Sequence, residues 1–177
     1  MIRSKLKKIK LIVSDVDGVL TDGRIYLLGM EELKAFSVRD ASPMEIARQS
    51  GLRFMFITTR KSEAIIKRAE ELKTDLVFKT DIKEAGGDLT AYLQGRYGVT
   101  PEEVLYVGDD WSDLHSMTLF GVSATPQNAT PENKAVADIV TDAKGGEGVL
   151  REVIEKVMIA QGTWGKYLAE YKNSFST

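Results

Sequence analysis

Leu11-Ile12-Val13-Ser14-Asp15-Val16-Asp17-Gly18-Val19-Leu20-Thr21-Asp22-Gly23 reads as a buried strand that runs straight into an acidic, glycine-bearing loop. A run apolar on both faces fits a strand covered by helices on either side, the environment of a parallel sheet. Open α/β sheets place their ligands at the carboxyl ends of such strands, where Asp15 and Asp17 fall. Extended geometry continued through them puts both carboxylates on one face. Like charges that close oppose ionisation unless a cation neutralises them, so the pair points to a divalent metal with oxygen ligands. Asp-Gly is also a common turn dipeptide, and a plain polar turn after a strand uses the same residues.

Outward from this stretch, short apolar runs alternate with helical patterns. Strands are expected at Ile9-Val13, Phe54-Ile57, Leu76-Phe78, Val104-Val107, Gly121-Ala124 and Ile139-Val140. Helices are expected near Met44-Gln49, Ser62-Leu72, Ala85-Arg96, Ser112-Leu119, Pro131-Ala137 and Val149-Ala160. Ser42-Pro43-Met44-Glu45 and Thr100-Pro101-Glu102-Glu103 carry capping-box signatures, and Thr130-Pro131 is a weaker version. The rhythm predicts one α/β domain over residues 1–177, a doubly wound, Rossmann-like parallel sheet.

One segment departs from the rhythm. Arg24-Ile25-Tyr26-Leu27-Leu28 and Leu33-Lys34-Ala35-Phe36-Ser37-Val38 flank Gly29-Met30-Glu31-Glu32 and read as a β-hairpin inserted after the first strand, about 24–38. Both of its faces carry apolar side chains, and an isolated hairpin is marginal in water. Another subunit, or its own domain, is therefore expected to cover it.

Val104-Leu105-Tyr106-Val107-Gly108-Asp109-Asp110-Trp111-Ser112-Asp113 repeats the pattern of buried strand, glycine and carboxylates, and a parallel sheet brings Asp109 to the edge that holds Asp15 and Asp17. Three carboxylates suit Mg2+, which takes oxygen ligands octahedrally and usually shares them with phosphate. Asp113 is read as a helix cap and Asp110 as serving the loop. Ile57-Thr58-Thr59-Arg60-Lys61-Ser62 offers hydroxyls, amides and a helix start, which favour an anion, with Thr58 as donor. Lys79-Thr80-Asp81-Ile82-Lys83 supplies a lysine after the third strand of the sheet.

Composition narrows the partners. The 177 residues hold 24 Lys and Arg against 26 Asp and Glu, a formal charge of −2, so no overall basic field draws nucleic acid or an anionic membrane. No cysteine occurs, which removes thiolate ligands and nucleophiles and fits a reducing compartment. The basic Met1-Lys8 precedes an apolar run too short for a signal peptide or membrane span, and a cytoplasmic protein is expected. His115 and Trp111 read as surface and packing residues. The tail, about 161–177, is aromatic and is expected to dock on its own or a neighbouring subunit.

Taken together, Asp15-Val16-Asp17-Gly18, Thr58, the lysine and Gly108-Asp109-Asp110-Trp111-Ser112-Asp113 resemble the haloacid dehalogenase superfamily of phosphohydrolases. Asp17-Gly18-Val19-Leu20-Thr21-Asp22-Gly23, the hairpin, Val38-Arg39-Asp40 and Gly145-Gly146-Glu147-Gly148-Val149-Leu150-Arg151-Glu152 look like its capless branch of sugar-acid phosphate phosphatases, over nearly the whole chain. The resemblance implies Asp15 as nucleophile and Asp17 as proton donor and then base. It implies Mg2+ held by Asp15, Asp17, Asp109 and the Val16 carbonyl. Thr58 and Lys83 would bind the transferring oxygens, with Lys79 in reserve, and Thr59, Arg60, Arg39 and Arg151 would meet the substrate. It also implies a small acidic sugar phosphate as substrate, an octulosonate 8-phosphate or a nonulosonate 9-phosphate, no cap domain, and a homotetramer built around the hairpins.

The chain departs from that pattern in two loops: Thr58-Thr59-Arg60 stands where Thr-Gly-Arg is common, and Arg39-Asp40-Ala41-Ser42-Pro43 where Arg-Asp-Gly-x-Gly is. Lost glycines change loop geometry beside the substrate. Two other readings share the same carboxylates: a phosphoacceptor module of the response-regulator type, and an oligomer that keeps the metal without turnover.

Overall fold

The computed structural model describes residues 2–29, 31–84 and 88–175. Eight strands form among them: β1 (Leu11–Asp15), β2 (Tyr26–Leu28), β3 (Glu31–Leu33), β4 (Arg53–Thr58), β5 (Asp75–Phe78), β6 (Val104–Val107), β7 (Val122–Thr125) and β8 (Ile139–Val140). Six make one sheet in the order β5-β4-β1-β6-β7-β8, with every pairing parallel. The chain winds outward from β1 through β4 to β5, then crosses to β6 and winds the other way. The crevice for a ligand therefore opens where β1 and β6 lie side by side.

Alternation along each strand builds a core on both faces. Ile12, Phe54 and Phe56 join one apolar cluster, while Leu11, Val13, Met55 and Ile57 join the other. The first is covered by α2 (Ala41–Gln49) and α8 (Val149–Gln161), which buries Val149, Leu150, Val153, Ile154, Val157 and Met158 along one stripe. The second receives Leu93 of α5 (Leu89–Tyr97) and Met117 of α6 (Leu114–Leu119). The remaining helices are α1 (Ile2–Leu6), α3 (Glu63–Glu71), α4 (Lys79–Glu84), α7 (Pro131–Val136) and α9 (Trp164–Asn173). The tail packs Trp164, Tyr167, Leu168 and Tyr171 against its own core.

The hairpin exists but is shorter than its sequence suggests: β2 and β3 pair antiparallel with each other only, Tyr26 opposite Leu33. Met30, in its expected turn, lies outside the described residues, as do Ala85, Gly86 and Gly87 at the start of the helix expected over Ala85-Arg96. No cap domain occurs among the described residues. Among the described residues no helix is long and apolar enough to cross a membrane.

The Ser42 capping box does not form. A 3-10 turn over Val38–Asp40, capped by the Ser37 hydroxyl, runs into α2 at Ala41, so Ser42 already lies within the helix. Asp40 spends its carboxylate elsewhere: its Oδ1 accepts from the Arg151 amide at 3.0 Å, tying the start of α2 to the first turn of α8. Burial, at 1% exposure, outweighs that bond and raises this carboxyl to about 6. The folded state thus holds the proton more tightly than the unfolded chain. The carboxyl's contribution to stability is fully present below the unfolded value near 4 and is lost as pH rises through 6, a swing of about 3 kcal/mol at most. Asp40→Asn cannot ionise, so its urea midpoint should gain on the wild type between pH 4 and pH 7; a constant gap would refute the shift.

Candidate active site

The register sets Asp15, the last residue of β1, beside Ile57 of β4, and Ser14 beside Val107 of β6, so the loops after β1, β4 and β6 meet at one edge. Two glycines let them meet closely. A methyl built on Gly18 would stand 2.0 Å from Asp109 Oδ2, and one on Gly108 would stand 2.4 Å from Asp113 Cβ. As a result, one carboxylate oxygen from each of Asp15, Asp109 and Asp113 lies within 4.8 Å of the other two.

Asp113 is the anchor of the group rather than an open ligand. Its Oδ1 accepts from Lys79 Nζ and from the Tyr106 hydroxyl, each at 2.8 Å. Its Oδ2 accepts from the Asp109 amide at 3.2 Å and, more weakly, the Asp110 amide at 3.5 Å. The cap reading of Asp113 therefore describes only half of its role. Lys79 Nζ also stands 3.8 Å from Asp15 Oδ1, a single cation among three carboxylates.

That imbalance shows in the acidities. Asp15 is held well above the ordinary carboxylate range, first by burial and then by the Asp113 charge, with Lys79 pulling the other way. Asp109 is raised to about 7 by burial and by the charges of Asp113 and Asp110. Tyr106 is pushed up by burial and by the charges of Asp113 and Asp15. Partly buried, mutually repelling oxygen donors with one compensating lysine are a set that a hard divalent cation suits, because its charge offsets both the burial and the repulsion.

Several expected site residues are placed differently. Lys83 is exposed on α4, whereas Lys79 meets the site; β5 ends at Phe78, so the next residue is the one delivered to the sheet edge. The Val16 carbonyl accepts from the amides of Val19, Leu20 and Thr21, at 3.3, 2.9 and 3.2 Å, and is consumed in closing the loop rather than facing a metal. The Asp17 carboxylate is not in the three-way group. It turns to Lys34 Nζ at 2.5 Å and Arg60 Nε at 3.6 Å.

Thr58 is buried at the end of β4, and its Oγ1 accepts from the Arg60 amide at 3.1 Å; Thr59 and Arg60 are exposed. Arg39 and Arg151 line a separate hollow of about 380 Å3 beside Gly148, and Arg151 Nε pairs with Glu155 at 2.9 Å. Neither pairs with the acidic cluster. His115 is exposed on α6, and Trp111, expected to pack, is 67% exposed with its Nε1 donating to Glu132 at 3.1 Å.

Comparison with known proteins agrees with this geometry. A model of the haloacid dehalogenase-like hydrolases matches residues 87–153. The chain is 37% identical over 164 residues to the 3-deoxy-D-manno-octulosonate 8-phosphate phosphatase of Escherichia coli strain B, covering 91% of this chain and 85% of that one. The Moraxella catarrhalis phosphatase of the same description, solved with magnesium, phosphate and a KDO molecule, superposes with a TM-score of 0.87 at 33% identity, over 96% of this chain and 97% of that one. A cobalt-bound Haemophilus influenzae relative gives 0.82 at 31%, over 89% and 92%. On fold, acidic edge and relatives alike, the chain belongs to the haloacid dehalogenase-like hydrolases, and within them it is similar to the 3-deoxy-D-manno-octulosonate 8-phosphate phosphatases.

Proposed function

We propose that the chain is a Mg2+-dependent phosphomonoesterase acting on 3-deoxy-D-manno-octulosonate 8-phosphate. The observation that carries this reading is the trio of Asp15, Asp109 and Asp113 with Lys79 at the sheet's crossover crevice, on a chain whose relatives bear that activity in their names. An Asp15 oxygen attacks phosphorus, the bond from phosphorus to the sugar oxygen breaks, and Asp17 gives that oxygen its proton. Asp17 then takes a proton from the water that hydrolyses the aspartyl-phosphate. Asp15 and Asp109 would hold the cation, which supplies charge neutralisation at the phosphate. Thr58 and Lys79 bind the transferring oxygens, where most of the barrier is lowered. Arg60 is the substrate-facing cation at the rim.

Phosphate release from the octulosonate 8-phosphate, silenced by chelation and restored by Mg2+, is the expected result. A clear preference for a nonulosonate 9-phosphate would move the assignment to that substrate. Turnover of neither, nor of p-nitrophenyl phosphate, would overturn it. Lys79→Met should lose about 10²-fold or more in kcat, on the scale of removing one donor to developing charge. Lys83→Met should stay within about twofold, since a solvated surface charge contributes little.

We infer a homotetramer through the hairpins. Ile25, Leu27, Leu28, Leu33 and Val38 are 41, 76, 65, 50 and 80% exposed, an apolar strip that a second copy would cover. Phe36 plays no such part: it is half-buried against the core, with the Arg68 guanidinium 5.8 Å from its ring centre. Each leucine newly buried adds roughly 1.5–3 kcal/mol. Leu27→Glu with Leu28→Glu should therefore reduce the mass seen by light scattering, and an unchanged mass would remove the hairpin from assembly.

A further inference from the structure

The loop of charge around Asp17 closes on itself through the hairpin. Lys34 Nζ meets Asp17 Oδ1 at 2.5 Å and Glu32 Oε1 at 3.0 Å. Glu32 Oε2 meets Arg60 Nη1 at 3.3 Å, and Arg60 Nε meets Asp17 Oδ2 at 3.6 Å. Two carboxylates and two cations alternate around this ring, so each charge has opposite neighbours on both sides. Its members come from three separate elements: the loop after β1, the hairpin and the loop after β4.

Lys34 is the unusual member. It sits one residue past β3 in a hairpin whose apolar side chains are largely in solvent, yet its own side chain has no exposed surface. Burying an ammonium is costly unless it is paired on delivery, and here the pairing is made seventeen positions back along the chain. A hairpin serving only as a sticky edge has no use for that arrangement. A hairpin that aims a carboxylate does.

We propose that Lys34 is a positioning residue for the reaction: by gripping Asp17 Oδ1 from the hairpin it turns that carboxylate away from Asp15, Asp109 and Asp113 and fixes it toward the leaving oxygen. Glu32 holds Lys34 in turn; with Oδ1 accepting from Lys34, Asp17 Oδ2, 3.6 Å from Arg60 Nε, is the oxygen that carries the proton given to the leaving group and regained from the hydrolytic water. Without the grip, rotation of Asp17 toward the cluster would set a fourth negative group beside three that already repel one another. The inference rests on the reading of Asp17 as proton donor. It adds that the hairpin has a task within its own subunit.

The test compares 3-deoxy-D-manno-octulosonate 8-phosphate, whose alkoxide needs a proton, with p-nitrophenyl phosphate, whose leaving group does not. Lys34→Met and Lys34→Gln should each lower kcat/KM, which reads the steps through departure of the leaving group and not the shared hydrolysis of the aspartyl-phosphate, about 10- to 100-fold for the sugar phosphate, part of what general acid catalysis supplies, and leave that for the aryl phosphate within about threefold. Lys34→Arg should recover most of the loss. Asp17→Asn should show the same selectivity at least as strongly, and adding Lys34→Met to it should cost little more. Equal losses on both substrates, failure of arginine to rescue, or full activity without Lys34 would overturn the positioning role while a selective Asp17→Asn keeps the proton-donor reading. An Asp17→Asn variant equally harmed on both substrates would take down that reading and this inference together.

Discussion

Asp15→Asn will leave a folded chain whose turnover of either a sugar phosphate or p-nitrophenyl phosphate falls by about 10⁴-fold or more, the scale on which loss of a nucleophile is felt. The amide is nearly isosteric with the carboxylate at the end of β1, so packing between β4 and β6 is preserved, but it has no anionic oxygen to attack phosphorus. Stability should move the other way. Asp15 is kept well above its ordinary range by burial first and by the charges of Asp113 and Asp109 after it, with Lys79 giving only partial relief. A neutral side chain removes that cost, so the variant measured in chelator should melt no lower than the wild type. Opposite movement of activity and stability marks a site whose charges are strained for function. Retained turnover would end the covalent mechanism, and a collapsed fold would show that Asp15 holds the sheet together.

The parts of this site legible in the sequence are those whose signal is local. Buried runs ending in carboxylates announced β1 and β6, and parallel topology alone brought Asp15 and Asp109 together. Strand limits moved by only a residue or two for the same reason: Val104–Val107 is apolar on both faces, as a doubly covered strand requires. Lys83 went astray because the end of β5 decides which lysine reaches the edge, and Asp75–Phe78 carries no mark of where it stops. Tyr106 was read correctly as a strand residue, yet nothing local shows its hydroxyl beneath Asp113. Lys34 is the extreme case. Its value lies in Asp17 and Glu32, and only the way the hairpin folds back reveals the three as partners.

Gly18→Ala tests the closest approach in the site, and it should be nearly as damaging as losing Asp109 itself. Two costs coincide there. Gly18 has φ of +89°, where an L side chain is disfavoured by roughly 1–2 kcal/mol, and its methyl would stand 2.0 Å from Asp109 Oδ2 and 2.5 Å from Cγ. Asp109 cannot yield cheaply, because the Asp109 amide is tied to Asp113 and the Asp109 carbonyl accepts from the Thr130 amide at 3.1 Å. Either the loop bearing Asp17 lifts or the Asp109 carboxylate leaves the group it forms with Asp15. Both outcomes should raise the Mg2+ concentration needed for half-maximal rate and lower kcat/KM about 10²- to 10³-fold, as for loss of a preorganised charge. Gly51→Ala isolates the backbone cost. That glycine has φ of +90° with nothing within 4 Å of the added methyl, so it should lose stability without losing activity. Equal kinetics for the two variants would show that Asp109 and Gly18 are not packed as the structure has them, whereas a defect confined to Gly18→Ala ties the conformation of the loop after β1 to the cation site.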